Sequence, residues 1–287
     1  MQFQAANINL GRIETLVFAG GGNRCWWQAG VVSHLLDQGW KLPPIFIGTS
    51  AGAGIATSLI TCSARDALAS CKHLYKHNKQ LFDWTSLARL KLKFAHQHIY
   101  PTWIESFASD HHFERLKTSG SELIVSVTRP AKALGLAGSL IVGSVAYLLD
   151  KKMAHNIHPR LPLRLGLKQE FLNLAKLPDG QSARALLQAA AAAAPFMPAI
   201  NVNGKWGFDG GYTDNAPIPI QTEAEKTKTL VLLTRYYPDL PPIFKLTGRT
   251  YWQPSQKIPV STWDCREETT VDEAFRLGLN DGSRLAK

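Results

Sequence analysis

Four cysteines in 287 residues are too few for a disulfide scaffold, and Cys25, Cys62, Cys71 and Cys265 form no CxxC pair. A zinc site is therefore not suggested, and reduced thiols in a cytoplasmic compartment are expected. The opening stretch, MQFQAANINLGRIETLVFAGGG, lacks a basic segment followed by an apolar one, so no secretory signal peptide is expected. Acidic residues are outnumbered: 22 Asp and Glu stand against 32 Lys and Arg, a net charge of +10. That surplus favours anionic partners such as acidic lipid head groups or nucleic acid. The aromatics are not interleaved with basic residues in any recognisable RNA or DNA module, so no nucleic acid is expected. Charged residues make up only 19% and apolar ones 45%, which excludes long disorder. Repeats and linker-like tracts are absent. A single domain over residues 1–287 is expected, with one compositionally distinct insertion at about 129–168.

Hydrophobic patterning gives an alternation of strand and helix. Residues 13–19 (IETLVFA) read as a buried strand stopped by three glycines, and 26–37 as a helix closed by Gly39. A second strand at 45–47 is broken by Gly48, and the small apolar run 51–61 suits a helix packed closely on a sheet. Further helices are predicted at 65–78, 182–194 and 271–279, and further strands at 122–128 and 229–234. A hairpin at 202–208 would turn on Asn203-Gly204. Such alternation implies an α/β fold with a parallel sheet.

Gly48-Thr49-Ser50-Ala51-Gly52 matches GxSxG between a predicted strand and a predicted helix, the setting of a nucleophile elbow. Flanking glycines permit a sharp turn that lifts the Ser50 hydroxyl to the positive end of the helix. Gly20-Gly21-Gly22-Asn23-Arg24 ends the first strand, and its exposed N–H groups suit an oxyanion, with Arg24 to fix the loop or add positive potential. A dinucleotide-binding GxGxxG is ruled out by Cys25, and neither loop carries the Gly-Lys-Ser/Thr of a P-loop.

Serine needs a base. An α/β-hydrolase places its histidine last, but the last of nine here is His158, and His34, His73, His77, His96, His98, His111, His112 and His155 occupy no recognisable strand-end loop. Asp209, at the end of a predicted strand and followed by Gly210 and Gly211, is the better candidate. Two other readings stay open: a histidine-dependent α/β-hydrolase-type esterase, and a non-catalytic membrane-associated binding module.

Taken in order, GGGNR, GTSAG and DGG resemble the patatin-like phospholipase family, as do the Ala-rich stretch running to Pro195-Phe196-Met197-Pro198 and Asn215-Ala216-Pro217. The similarity is good over 14–61 and 182–234. It departs at Cys25, where a small residue usually follows the arginine. The resemblance implies a three-layer α/β/α sandwich around a central, mostly parallel sheet. It implies a serine acyl hydrolase acting on phospholipid, lysophospholipid or other acyl-ester substrates. Ser50 would be the nucleophile and Asp209 the base, with an oxyanion hole at Gly20, Gly21, Gly22 and Arg24. Gly48, Gly52, Gly210 and Gly211 would support the motifs. No metal or organic cofactor is implied, and oligomeric state is left unset.

The insertion stands apart from the family pattern. Residues 133–149 carry no charge, while Arg129, Lys132, Lys151, Lys152, Arg160, Arg164 and Lys168 flank them against Asp150 alone. Gly135, Ser139 and Gly143 fall on one helix face and would allow close contact. A buried core helix, a lid or interfacial element, and a short transmembrane span are all compatible with this pattern. Peripheral contact with an anionic membrane is expected.

Overall fold

The computed structural model describes residues 3–84, 93–153, 157–159 and 161–285. Arg160 and His155 lie outside these, as do the side chains of Asp150, Lys151 and Lys152. In chain order the elements are β1 (Gln4–Ala5), β2 (Thr15–Phe18), α1 (Trp26–Asp37), β3 (Ile45–Thr49), α2 (Ala51–Thr61), α3 (Ala64–Lys76), α4 (His96–Ala108), α5 (Asp110–Thr118), β4 (Glu122–Arg129) and α6 (Gly135–Met153). There follow α7 (Leu161–Arg164), β5 (Lys168–Asn173), α8 (Gly180–Ala190), β6 (Ile200–Val202), β7 (Lys205–Asp209), α9 (Glu223–Thr227), β8 (Thr229–Leu232), β9 (Ile243–Leu246), β10 (Arg249–Trp252) and α10 (Val271–Leu285).

The strands join in one mixed sheet, ordered β1-β9-β10-β8-β2-β3-β4-β7-β6, with β5 also on β4. The central run β10, β8, β2, β3 and β4 is parallel. Antiparallel pairs extend both ends. Central strands bury both faces, as the run LVF in β2 demands: Leu16 and Phe18 join the core under α1 and α2, while Val17 joins Ile47, Val231, Phe244 and Tyr251 on the opposite side. The result is an α/β/α sandwich. The C-terminal helix α10 packs along α1, where the buried Trp27 Nε1 donates to Asp281 Oδ2 at 2.8 Å.

Two boundaries differ from expectation for identifiable reasons. Helix α8 ends at Ala190, before Pro195, and the buried Ala192 carbonyl outside it accepts the Asp209 N–H at 3.1 Å. Helix α10 continues six residues beyond 279 because Asp281 has buried partners in Trp27 and the Ser255 N–H, so a polar residue sits on its inner face.

Strand β4 organises the site. It pairs with β5 along one edge over Ile124–Arg129. Its other edge pairs with β3 up to Thr49↔Ser126, and the next two positions take β7, as Val127↔Asp209 and Thr128↔Phe208. Strands β3 and β7 thus arrive from opposite directions on one edge and meet end to end. The residue that follows β3 is Ser50, and the residue that ends β7 is Asp209.

Helix α6 is neither buried all round nor spanning; no helix among the described residues is long and apolar enough to cross a membrane. Ser139, Gly143 and Ala146 face inward, and Gly143 lies so close to Leu167 and Tyr212 that a Cβ would come within 2.9 Å of each. Gly135, by contrast, starts the helix at φ +60° with nothing packed against it. Ile141, Val145 and Leu148 form an outward stripe, 52–66% exposed.

Candidate active site

Ser50 occupies the turn between β3 and α2 with φ 52° and ψ −140°, a conformation that costs a non-glycine residue roughly 1–3 kcal/mol. The turn is enforced by close packing: a Cβ on Gly52 would sit 2.6 Å from the Ala19 carbonyl oxygen, and one on Gly48 would sit 2.5 Å from Ala53 Cα. The turn places Ser50 at the N-cap of α2, whose first N–H groups have no partner within the helix.

Ser50 Oγ donates to Asp209 Oδ2 at 2.8 Å, and both residues are only 5% exposed. The second carboxylate oxygen, Oδ1, accepts the Gly211 N–H at 2.7 Å, which fixes the rotamer. Asp209 is also held through its backbone, where Thr128 Oγ1 donates to its carbonyl at 2.9 Å. Gly210 lets the ends of β7 and β3 abut, since a Cβ there would lie 2.1 Å from Thr49 Oγ1. Burial pushes the Asp209 carboxyl up to about 6, against the downward pull of the Gly211 N–H and the Ser50 hydroxyl. It is therefore largely ionised at neutral pH and a stronger base than a solvated carboxylate.

The glycine-rich loop lies alongside, with a Gly20 Cβ falling 3.1 Å from Ser50 Cβ. Its peptide planes are oriented through their carbonyls. Thr234 Oγ1 donates to the Gly20 carbonyl, which turns the N–H of Gly21 the opposite way in that trans peptide. Arg24 donates to the Gly21 carbonyl from its N–H at 3.2 Å and from Nε at 3.3 Å, which turns the Gly22 N–H likewise. Among the described residues, neither of these two N–H groups has a backbone acceptor. The Gly20 N–H differs, since the Asn215 carbonyl accepts it at 2.7 Å. Cys25 does not obstruct the loop: it is buried, its thiol points at the Ala19 carbonyl, and burial pushes its pKa far up.

Ser50 opens into a cavity lined by Gly22, Cys25, Trp26, Ile55, Ile99, Trp103, Met197 and Trp263, with His96 and Tyr100 among them. Among the described residues no histidine hydrogen-bonds Ser50. His158 instead shares its ring between Asp214 Oδ2 (2.6 Å) and Tyr251 Oη (2.8 Å), which ties the end of the insertion to the sheet. His111 and His112 lie in the first turn of α5. Nor is any cluster of three or more His, Cys, Asp or Glu placed among the described residues to hold a metal.

Thr128, Thr234 and Tyr100 carry no motif and were not singled out from the sequence. The end of the 229–234 strand run is the sole hint for Thr234, since residues just past parallel strand ends gather at such sites. No curated protein matches the sequence. Among solved structures the chain is similar to VipD from Legionella pneumophila, with 12% identity, 99% of this chain and 69% of that chain covered, and a TM-score of 0.49. Residues 16–220 match the family model of the patatin-like phospholipases, and the chain belongs to that family.

Proposed function

We propose that the protein is a serine lipid acyl hydrolase that cleaves carboxylic esters of phospholipids or lysophospholipids through a Ser50–Asp209 dyad. The observation that carries this reading is the 2.8 Å hydrogen bond from the strained, buried Ser50 hydroxyl to a carboxylate with a raised pKa. Ser50 Oγ attacks the ester carbonyl carbon while its proton passes to Asp209 Oδ2. The oxyanion is received by the N–H groups of Gly21 and Gly22, with Ala51 N–H at the start of α2. Collapse breaks the ester C–O bond, and the leaving alcohol takes the proton from Asp209. Water then attacks the acyl carbon, giving a proton to Asp209. That proton returns to Ser50 Oγ as the free acid leaves.

A phosphate-bearing substrate is favoured by Arg24 and Arg235, near enough for their charges to oppose and flanked by Tyr147 and Tyr237. Neither arginine forms an ion pair among the described residues, so an anion beside the oxyanion loop would relieve their repulsion. Contact with an anionic membrane is supported by the outer face of α6. Ile141, Val145 and Leu148 are exposed there, and Leu163 and Leu165 together with the basic Lys132, Arg164 and Lys168 are exposed in the segments that flank it in the chain. The inner face of the same helix touches the site, through Ser144 on Tyr212 and Tyr147 on Asn215. Membrane contact on one face of α6 would therefore lie across the helix from residues that follow Asp209 in the chain.

The test is release of fatty acid from mixed membrane lipids, followed by mass spectrometry, with Ser50→Ala as control. Ser50→Ala is expected to lower turnover by roughly 10³-fold or more, because the covalent route is gone. Retention of a tenth of wild-type turnover would reject the assignment.

A further inference from the structure

Glycine has no side chain to restrict φ and ψ, so three in a row cannot hold a loop in one shape by themselves. Donors that wait in place for an oxyanion must be fixed by their neighbours. Two of the contacts that fix this loop act on its carbonyls: Thr234, just past β8, holds that of Gly20, and Arg24, within the loop, holds that of Gly21. A third acts on the Gly20 N–H, which donates to the Asn215 carbonyl at 2.7 Å. Asn215 belongs to the turn that follows Asp209, Gly210 and Gly211.

That turn is held from the insertion. Asp214 Oδ1 accepts the Ala216 N–H at 2.9 Å and so shapes the chain around Asn215. The other carboxyl oxygen, Oδ2, is bonded to His158 Nδ1 at 2.6 Å, and the opposite ring nitrogen is bonded to Tyr251 Oη at 2.8 Å. The imidazole is thus pinned at both ends, and it fixes the Asp214 rotamer. Asn215 is held a second time through its side chain, where Nδ2 donates to Tyr147 Oη on α6 at 2.9 Å. Arg235 donates to the same phenol oxygen at 3.3 Å, which steadies it. His158 and Tyr147 both come from residues 129–168, and they grip consecutive residues of one turn.

We infer that His158 and Tyr147 are positioning residues: from the insertion they hold the Asn215 turn, and through its carbonyl they set the glycine loop beside Ser50. The catalytic part of this rests on Ser50 being the nucleophile, since that makes the loop an oxyanion hole.

Two readouts test it, one of turnover and one of the loop itself. With a soluble short-chain ester, His158→Leu is expected to lower kcat by about 10- to 100-fold and leave KM within about twofold, because a displaced oxyanion donor is missed only in the transition state. His158→Asn puts an amide nitrogen where Nδ1 stood and is expected to restore most of the loss. Tyr147→Phe, which removes a single hydroxyl, is expected to lower kcat by about threefold or more. Thr234→Val in the His158→Leu background should cost less than it costs alone, since Gly20 is already released. Hydrogen exchange over residues 19–24 is expected to be faster in His158→Leu and Tyr147→Phe than in wild type, while thermal unfolding stays cooperative. Unchanged exchange in both variants overturns the inference, as does a kcat loss that multiplies fully with Thr234→Val or that His158→Asn does not relieve. Faster exchange together with turnover that survives Ser50→Ala would keep the coupling and remove the hydrolase reading, whereas Ser50-dependent turnover with unchanged exchange would do the reverse.

Discussion

Replacing Asp209 by Asn should make the protein more stable while abolishing its chemistry. In the fold this carboxyl titrates at about 6 rather than 3.8, because burial disfavours its charge more than Gly211 and Ser50 favour it. The sign is opposite to that of an ion-paired carboxylate. Below pH 4 the group is protonated whether the chain is folded or not, and it contributes nothing. Between pH 4 and 6 the unfolded chain loses the proton and the folded one keeps it, so stability falls as pH rises. Above pH 6 the penalty is complete, and two units of pKa correspond to roughly 3 kcal/mol. Asparagine retains an acceptor for the Gly211 N–H and a polar group facing Ser50 Oγ, but has no charge to bury. Denaturant unfolding of wild type and Asp209→Asn from pH 4 to 8 should therefore show curves that converge near pH 4 and separate by about 2–3 kcal/mol above pH 6. Turnover by the variant should fall about as far as in Ser50→Ala, with the double variant little worse than either. A stability difference that does not change with pH would refute the reasoning, because it would owe nothing to ionisation.

The remaining expectations follow from the same site. Ser50→Gly should raise stability by roughly 1 kcal/mol or more in denaturant unfolding, since glycine occupies φ 52° without strain; a loss of stability would contradict the strained turn. The rate kcat/KM should rise about tenfold per pH unit up to pH 6 and level off above, as Asp209 ionises; a profile whose inflection moves on replacing a histidine would favour the histidine-dependent alternative. Thr234→Val keeps the shape but frees the Gly20 carbonyl, and should lower kcat by roughly 10- to 100-fold with little change in KM. Exchanging Ile141, Val145 and Leu148 for Gln should weaken co-sedimentation with anionic vesicles and spare hydrolysis of a soluble short-chain ester; equal sedimentation would remove α6 from the membrane contact.

What the sequence made legible is what local chemistry dictates. GxSxG between strand and helix, the run of glycines after β2, and the Asn203-Gly204 hairpin each declare a backbone conformation that few other residues adopt. Asn203 and Gly204 do take positive φ, and α1 and α2 span the residues expected of them. The candidate site residues stood out because their neighbours are glycines at positions with no room for a Cβ. The strands β1, β5, β9 and β10 escaped notice because none carries the uninterrupted apolar run that marks β2 and β8. Thr128 and Thr234 escaped for a different reason: each bonds a carbonyl brought from far along the chain. In the insertion the small residues Ser139 and Gly143 did mark the packed face of α6, but composition alone could not say that the opposite face would be left uncovered.

The meeting of β3 and β7 on one edge of β4 makes the Ser50–Asp209 distance a matter of ladder register. A slip of β7 by one residue would carry Asp209 about 3.3 Å along the edge and turn its side chain to the far face of the sheet. Only two paired positions, Val127↔Asp209 and Thr128↔Phe208, hold that register on the β4 side. Adding or deleting a single residue within β7, between its pairing with β6 and Phe208, is thus expected to displace the carboxylate from Ser50 with every motif residue still in place. A length difference in this strand, invisible to a motif search, would separate copies of the fold that hold the dyad from copies that do not.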